Sequence, residues 1–391
     1  MPLVSLTRQN DYALPALRAA VAALLAPLGG MKRFVKAGDR VVLKLNLVCP
    51  TRGNLVAYTQ AEIFQVVAEM VLDCGGKVVA GDSPGAGSAA KVAKIAGIAP
   101  LAEALGVPII EFTGKEIFSE QRVFRQLTLA RELLEADAVV NLPRLKTHGQ
   151  MMLTAAVKNL FGAVIGTEKF AWHYRAGADY AMFARMLYEI ERAVAPRLTI
   201  LDAVVAMDGN GPTAGSAQPL GFLAAGEDAT AIDATMMKIL GRAPEDLYTV
   251  QAATAAGDTA WQNVELRGVE NLADLKPARW RWSPSQSLAM IPPRLLRYLP
   301  FVTEEKFRRW TALYPQPVAG KCVRCGKCLT VCSVGALAFN GADGALAVNQ
   351  NKCIRCYCCH ELCPHHALEL RGGWLSRWLR RLNWLWQRSG Q

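Results

Sequence analysis

Short runs rich in valine, leucine and isoleucine alternate with stretches of helical period along the first 275 residues. Arg40–Lys44 and Lys77–Gly81 are apolar runs too short for a helix, and they end at polar or glycine positions, which predicts buried strands. Between them a helix is expected from about Thr59 to Cys74, with Thr59 as its cap, Glu62 at the capping-box position and Gly75-Gly76 as its stop. Further strands are predicted at Ala138 to Leu142, Leu198 to Val205 and Gly221 to Ala225, with helices at Ala229 to Leu240 and, as an amphipathic core helix, Ala13 to Leu28. This alternation predicts an α/β domain over 1–275, with a mostly parallel sheet and helices on both faces. In such sheets ligands bind in loops at the carboxyl ends of the strands. The loops in question are Leu45-Asn46, Asp82 to Gly87, Pro143 to His148 and Met207 to Thr213, and a helix-like stretch carrying Lys158-Asn159 follows the third.

Beyond residue 275 the pattern changes. Residues 276–317 mix proline, tryptophan and arginine and read as an extended linker. Residues 318–370 are a small cysteine-rich α+β unit, and 371–391 form a basic amphipathic tail helix. In that tail Trp374, Trp378, Leu382, Leu385 and Trp386 share one face, while Arg377, Arg380, Arg381 and Arg388 share the other. Charge sharpens the division, because segments 276–320 and 371–391 account for the whole net charge of +11 and hold seven of the nine tryptophans. Basic residues interleaved with tryptophan point to a docking face, or through 374–388 to peripheral contact with an anionic membrane, and no nucleic-acid partner is expected. No uninterrupted apolar run reaches the roughly 18 residues a membrane span needs. Ala13 to Leu28 contains Arg18 and lacks a basic leader, so it is read as a core helix and not a signal peptide. Unpaired Cys49 and Cys74 suit a reducing compartment, so a cytoplasmic protein is expected, with membrane-peripheral contact through the tail as a variant.

The densest chemistry lies in the cysteine runs. Cys322, Cys325, Cys328 and Cys332 have C-x2-C-x2-C-x3-C spacing, and Cys353, Cys356, Cys359 and Cys363-Pro364 repeat it 31 residues later. Ala336/Ala367 and Leu337/Leu368 extend the repeat. Such spacing lets a tight loop aim three thiolates at a cubane while the fourth reaches the other cluster. Two 4Fe-4S clusters are therefore expected, one held by Cys322, Cys325, Cys328 and Cys363, the other by Cys353, Cys356, Cys359 and Cys332. A zinc site closes with four ligands and has no use for a doubled set, and a disulfide framework belongs to short secreted chains. Cys358 is surplus to the spacing and reads as a packed bystander, and Ser333 stands where the second run has proline.

Lys44-Leu-Asn46, Gly81-Asp82-Ser83-Pro84-Gly85, Lys146-Thr147-His148, Lys158-Asn159-Leu160-Phe161-Gly162, Asp208-Gly209-Asn210-Gly211-Pro212 and Cys353 to Pro364 together resemble the domain-of-unknown-function 362 family in its ferredoxin-fused form. The resemblance runs from about Val41 to Leu370 and implies an iron-sulfur protein of the oxidoreductase type, without naming a substrate.

From the residues themselves, Lys44, Lys146, His148 and Lys158 place positive charge at the sheet edge, which suits a carboxylate or phosphate and the negative charge that builds as electrons arrive. His148, Lys146 and Lys158 are the candidate catalytic groups, with His148 as proton donor because imidazole titrates near neutrality. Lys44, Asn46, Asp82, Ser83, Asn159, Asp208 and Asn210 are the candidate substrate-binding groups. Gly81 to Gly87 matches neither nucleotide-loop pattern. His173 reads as a packed or surface histidine, and His360, His365 and His366 as exposed groups or tuners of cluster potential. The expected function is an oxidoreductase relaying electrons through the two clusters, between a ferredoxin-like donor or acceptor and a small anionic or carbonyl substrate. Two other readings are a non-catalytic electron-transfer or assembly subunit, and a metal-dependent isomerase or lyase with structural clusters.

Overall fold

The computed structural model describes residues 1–51, 53–118, 124–166, 168–177, 179–283, 313–340 and 344–372. Its centre is the parallel pairing of Arg40–Lys44 with Lys77–Gly81 on one side and with Ala138–Asn141 on the other. Their side chains alternate between two cores: Val41, Leu43 and Val140 point into one, Val42 and Val139 into the other. The full sheet runs Glu265–Arg267, Leu3–Arg8, Ser216–Gly226, Leu198–Asp208, Ala138–Asn141, Arg40–Lys44, Lys77–Gly81, Ile109–Ile110. It is mostly parallel, with antiparallel pairings where Ser216–Gly226 meets its two neighbours. Helices Leu14–Leu25 and Ala61–Asp73 cover one face, while Tyr180–Val194 and Ala229–Ile239 cover the other, so both faces are buried as the apolar runs require.

Three local expectations change. The helix expected from Thr59 starts at Ala61 behind Gln60, which makes no side-chain capping bond. The Thr59 hydroxyl instead donates to Leu142 O (2.9 Å) and accepts the Asn46 N–H (2.7 Å), tying two strand-end loops together. Arg144–His148, expected as a loop, is a fully buried strand paired with Met152–Thr154 and irregularly with Leu198–Asp208. Its polar side chains can be interior because they are satisfied: the Arg144 guanidinium donates to Val205 O, Tyr58 O, Gln60 Oε1 and Tyr12 Oη. The strand expected to end at Val205 continues to Asp208, taking Met207 and Asp208 of the predicted glycine turn into the sheet.

The cysteine unit is a miniature of two hairpin-like halves. Leu313–Pro317, expected at the end of the linker, pairs antiparallel with Leu368–Gly372 and so belongs to this unit. Its prolines are tolerated because the strand is at the edge of a two-stranded sheet. A second pair joins Leu337–Asn340 to Ala345–Val348, and each cysteine run contributes one short helix, Lys327–Thr330 or Cys358–Glu361. Of the linker, Trp280 and Trp282 pack against the main core, with Arg242 over the Trp282 ring at 4.3 Å. Residues 284–312 and the tail 373–391, including the expected membrane contact at 374–388, lie outside the described residues.

Candidate functional site

The two cysteine loops share a backbone device. Arg324 (φ 58°) and Gly326 (φ 75°) are left-handed in the first, and Arg355 (φ 57°) and Tyr357 (φ 60°) in the second. These turns curl the backbone around the enclosed space. In both copies the last cysteine accepts a backbone N–H from four residues on, Ala336 to Cys332 Sγ at 3.2 Å and Ala367 to Cys363 Sγ at 3.3 Å. Such bonds favour a thiolate. Cys322, Cys325, Cys328 and Cys363 line one cavity of about 340 Å³, and Cys332, Cys353, Cys356 and Cys359 line another of about 340 Å³. Among the described residues no group of three or more His, Cys, Asp or Glu side chains closes in tightly enough for a single ion. A cubane gives each iron its own thiolate, so its four sulfurs stand further apart than those around one ion. The donor set, all soft sulfur, fits iron-sulfur chemistry.

A third and larger cavity, about 650 Å³, lies where the cysteine unit meets the carboxyl edge of the sheet. The α/β domain supplies Asn46, Ser83, His148, Lys158, Lys169 and His173 to its wall, and the helix Cys358–Glu361 closes the other side. Cys49 Sγ and the Thr213 hydroxyl both bond the Glu361 carbonyl, at 3.6 and 2.8 Å, and the Tyr180 hydroxyl donates to Arg355 O at 3.2 Å. Val48, Ala86 and Phe170 pack against the buried cluster that includes Cys358 and Leu362, so the junction has its own small apolar core. Gly85 lies close to it, since a Cβ would come 3.0 Å from Leu362 Cδ2.

Burial sets the charge states. The His148 Nδ1 accepts the N–H groups of Gln150 (3.0 Å) and Met151 (3.2 Å), so the ring proton resides on Nε2, which faces Glu361 Oε1 at 3.4 Å. Desolvation, aided by Lys158, holds its pKa well below the usual value, and the ring is neutral at physiological pH. The expected imidazolium acid is therefore replaced by a neutral Nε2–H hydrogen-bond donor. Lys158 rests its ammonium over the Phe161 and Phe183 rings, 4.4 and 5.9 Å from their centroids, and burial lowers its pKa. Lys169 donates to Ser83 Oγ (3.0 Å) and Val164 O, and burial brings its pKa down to about 7. His173 stacks on Phe183 at 4.4 Å, leaves Nδ1 without a protein partner, and is pushed down to about 3 by burial.

Other candidates lie behind the wall or away from it. Lys44 is fully buried, pairs with Asp82 at 2.8 Å and donates to Leu45 O and Asn159 O. Asp82 reaches the wall but also accepts the N–H groups of Leu47 and Ser83. Lys146 is held by Asn46 Oδ1 and Ala57 O, and burial lowers its pKa to about 7. Through Asn46 the chain of bonds continues to Asn159 and Asn141, so Lys146 orients the asparagines that face the cavity. Asp208 is engaged by Arg281, whose Nε donates to it at 3.0 Å, and neither Asp208 nor Asn210 lines the cavity.

Four ionisable wall residues were not among the sequence candidates: Cys358, Glu361, Lys169 and His173. Cys358, read as a bystander, and His173, read as packed or exposed, both face the cavity. The repeat held a signal for the first two, since Cys358 and Glu361 stand where the first copy has Lys327 and Thr330.

A model described as a domain of unknown function, DUF362, matches residues 41–238, and one described as a 4Fe-4S dicluster domain matches residues 316–364. A thylakoid-associated protein of Synechocystis sp. is 44% identical over 254 residues, covering 65% of this chain and 79% of that protein. Among solved structures, the lactate racemase apoprotein of Thermoanaerobacterium thermosaccharolyticum aligns over 58% of this chain and 54% of its own, with 10% identity and a TM-score of 0.40. A Thermotoga maritima protein aligns over 56% and 57%, with 12% identity and a TM-score of 0.36. This chain thus spans little more than half the length of either solved structure. Among the described residues no helix is long and apolar enough to cross a membrane.

Proposed function

This chain belongs to the DUF362 family and carries a 4Fe-4S ferredoxin-type domain, and from that premise we propose that it is an oxidoreductase acting on a small anionic or carbonyl compound. Two clusters, held by the cysteine sets given above, would supply electrons one at a time. The observation that supports this reading is the position of the cavity at the junction: one wall is the helix Cys358–Glu361, which also carries Cys359.

Reduction of one carbonyl takes two electrons and two protons; its π bond breaks while a C–H and an O–H bond form. Lys158 has only aromatic faces beneath its ammonium and attracts an anionic group or the radical anion left by the first electron. The neutral His148 Nε2–H donates a hydrogen bond to the developing oxyanion, a role that needs no change in its charge. Lys169, titrating near neutrality, releases a proton to that oxygen, and solvent supplies the second. Asn46 and Asn159 orient the substrate. The Synechocystis relative is named for its thylakoid association, and a cytoplasmic, membrane-peripheral location is part of the same proposal for this chain.

The test is an anaerobic electron paramagnetic resonance titration of iron-loaded protein with a panel of small carboxylates, phosphates and 2-oxo acids. At least one compound should reoxidise the clusters or perturb their signal in the wild type, and at least tenfold less in Lys158→Ala, about the 1.4 kcal/mol or more that a charge-assisted contact contributes. Clusters that cycle normally and ignore every compound would leave a docking subunit as the better reading.

A further inference from the structure

The two halves of the cysteine unit are built alike but face different surroundings. The second loop is pressed against the α/β domain, with Cys358, Cys359, Leu362 and Cys363 all buried. The first loop faces solvent. There Lys321, Arg324 and Lys327 are exposed, Cys325 is the one cysteine of the unit classed as exposed, and Val323 is 58% exposed. Arg324, Lys327 and Val323 also line the cavity bounded by Cys322, Cys325 and Cys328, so one layer of side chains separates that cavity from solvent. From Leu313 to Asn340 the chain has these three basic residues and no acidic one. Lys321 and Arg324 recur in the repeat as Lys352 and Arg355, while Lys327, at the position of buried Cys358, is the basic residue particular to the exposed loop.

We propose that this exposed basic loop, with Val323 at its centre and Lys321, Arg324 and Lys327 around it, is the docking surface for a small acidic one-electron carrier protein. An apolar contact inside a charged rim is the usual anatomy of a transient interface. Opposite charge on the partner steers encounter and raises on-rates by roughly 10- to 1000-fold at low salt. The placement gives the molecule a direction: electrons enter at the first loop and leave at the cavity walled by the second. The inference deepens the proposed function by naming the partner's chemistry, and it depends on that reading only in requiring clusters that cycle. Another role for the three cations is to offset the negative charge of the iron centres, which would alter their potential and not the encounter.

Stopped-flow reduction of the iron-loaded chain, without substrate, separates these roles and is independent of whether a substrate exists. The probes are a small acidic two-cluster ferredoxin and the cationic methyl viologen radical. In the wild type the ferredoxin rate should fall with added salt while the viologen rate should not. Lys321→Glu/Arg324→Glu/Lys327→Glu should slow the ferredoxin reaction at least tenfold at low salt and leave the viologen reaction, which meets the same centre at the same potential, unslowed. Lys321→Gln/Lys327→Gln, which perturbs iron loading less, should slow the ferredoxin reaction severalfold. Salt-independent ferredoxin rates, equal slowing of both donors, or shifted potentials with unchanged ferredoxin encounter would overturn the proposal.

Discussion

Lys169 and Lys158 bring two ammonium groups to one wall of the same cavity, and their surroundings set different limits on them. Lys169 has hydrogen-bond acceptors at Ser83 and Val164, and burial places its pKa at about 7. Below that pH it is charged and attracts an anion; above it the charge is lost. Anion affinity should therefore fall as pH rises from 6 to 8, by up to about tenfold per unit, because one pKa unit equals 1.36 kcal/mol. Calorimetry of the compound found in the resonance screen, compared with Lys169→Met, checks this: the variant should bind weakly and with a flatter pH profile. Sequence made Lys44, Asn46, Asp82, Lys146, His148 and Asn159 visible as polar groups at strand ends. It could not say which faced the cavity, because a buried lysine satisfied by Asp82 and a lysine facing a ligand look alike until neighbours are placed. Lys169 carried no such signal, since it lies on the ordinary-looking helix Glu168–Ala176, where His173 is packed on Phe183 as one of its sequence readings had it.

The helix that presents Lys158 and Asn159 is a single turn, Ala156–Asn159, too short to be stable on its own. Asp233, buried on the Ala229–Ile239 helix, holds its start: Oδ1 accepts the Ala156 N–H at 2.7 Å and Oδ2 the Val157 N–H at 3.2 Å. Asp233→Ala should cost about 2–3 kcal/mol, as two buried N–H groups lose a charged acceptor. Asp233→Asn, which keeps one acceptor oxygen, should cost roughly half of that. Urea unfolding measures both, and anion affinity should fall in the same order without any contact between Asp233 and the ligand. Elements with an apolar run, such as Arg40–Lys44 and Lys77–Gly81, were legible because burial on both faces leaves that pattern. Arg144–His148 was not, because its place in the sheet rests on hydrogen bonds that Arg144 donates to Tyr12, Tyr58 and Gln60, residues far away in the chain.

At the scale of the molecule, the proposed function depends on a junction between two units, joined among the described residues by few polar contacts. Removing two of them, by Thr213→Val and Tyr180→Phe, deletes the bonds to Glu361 O and Arg355 O at a net cost of about 1 kcal/mol each. Amide hydrogen exchange across 353–363 should then quicken by roughly tenfold or more, while 322–332 stays unchanged. Equal quickening in both runs would show that the junction does not hold the second loop. The two units themselves were readable from the change in composition near residue 275 and from the 31-residue repeat. Their mutual placement was not, because it is set by Gly85 beside Leu362 and by Val48 and Phe170 against the apolar cluster that includes Cys358, contacts with no period and no motif.

The interleaving of the cysteines also governs when the protein can be finished. Each cavity in the cysteine unit takes one cysteine from the other copy, Cys363 in the first and Cys332 in the second. While a ribosome is still making the chain, neither set is complete until the second run emerges: the second waits for Cys359 and the first for Cys363. The strand pairing of Leu313–Pro317 waits a little longer, for Leu368–Gly372. The sheet strands from Leu3 to Arg267 are by then all synthesised, so iron delivery falls to a late step, onto a platform already able to fold. A message broken off before the codon for Cys359 yields two incomplete sets, and one broken off between Cys359 and Cys363 leaves the second set complete and the first without its last thiolate.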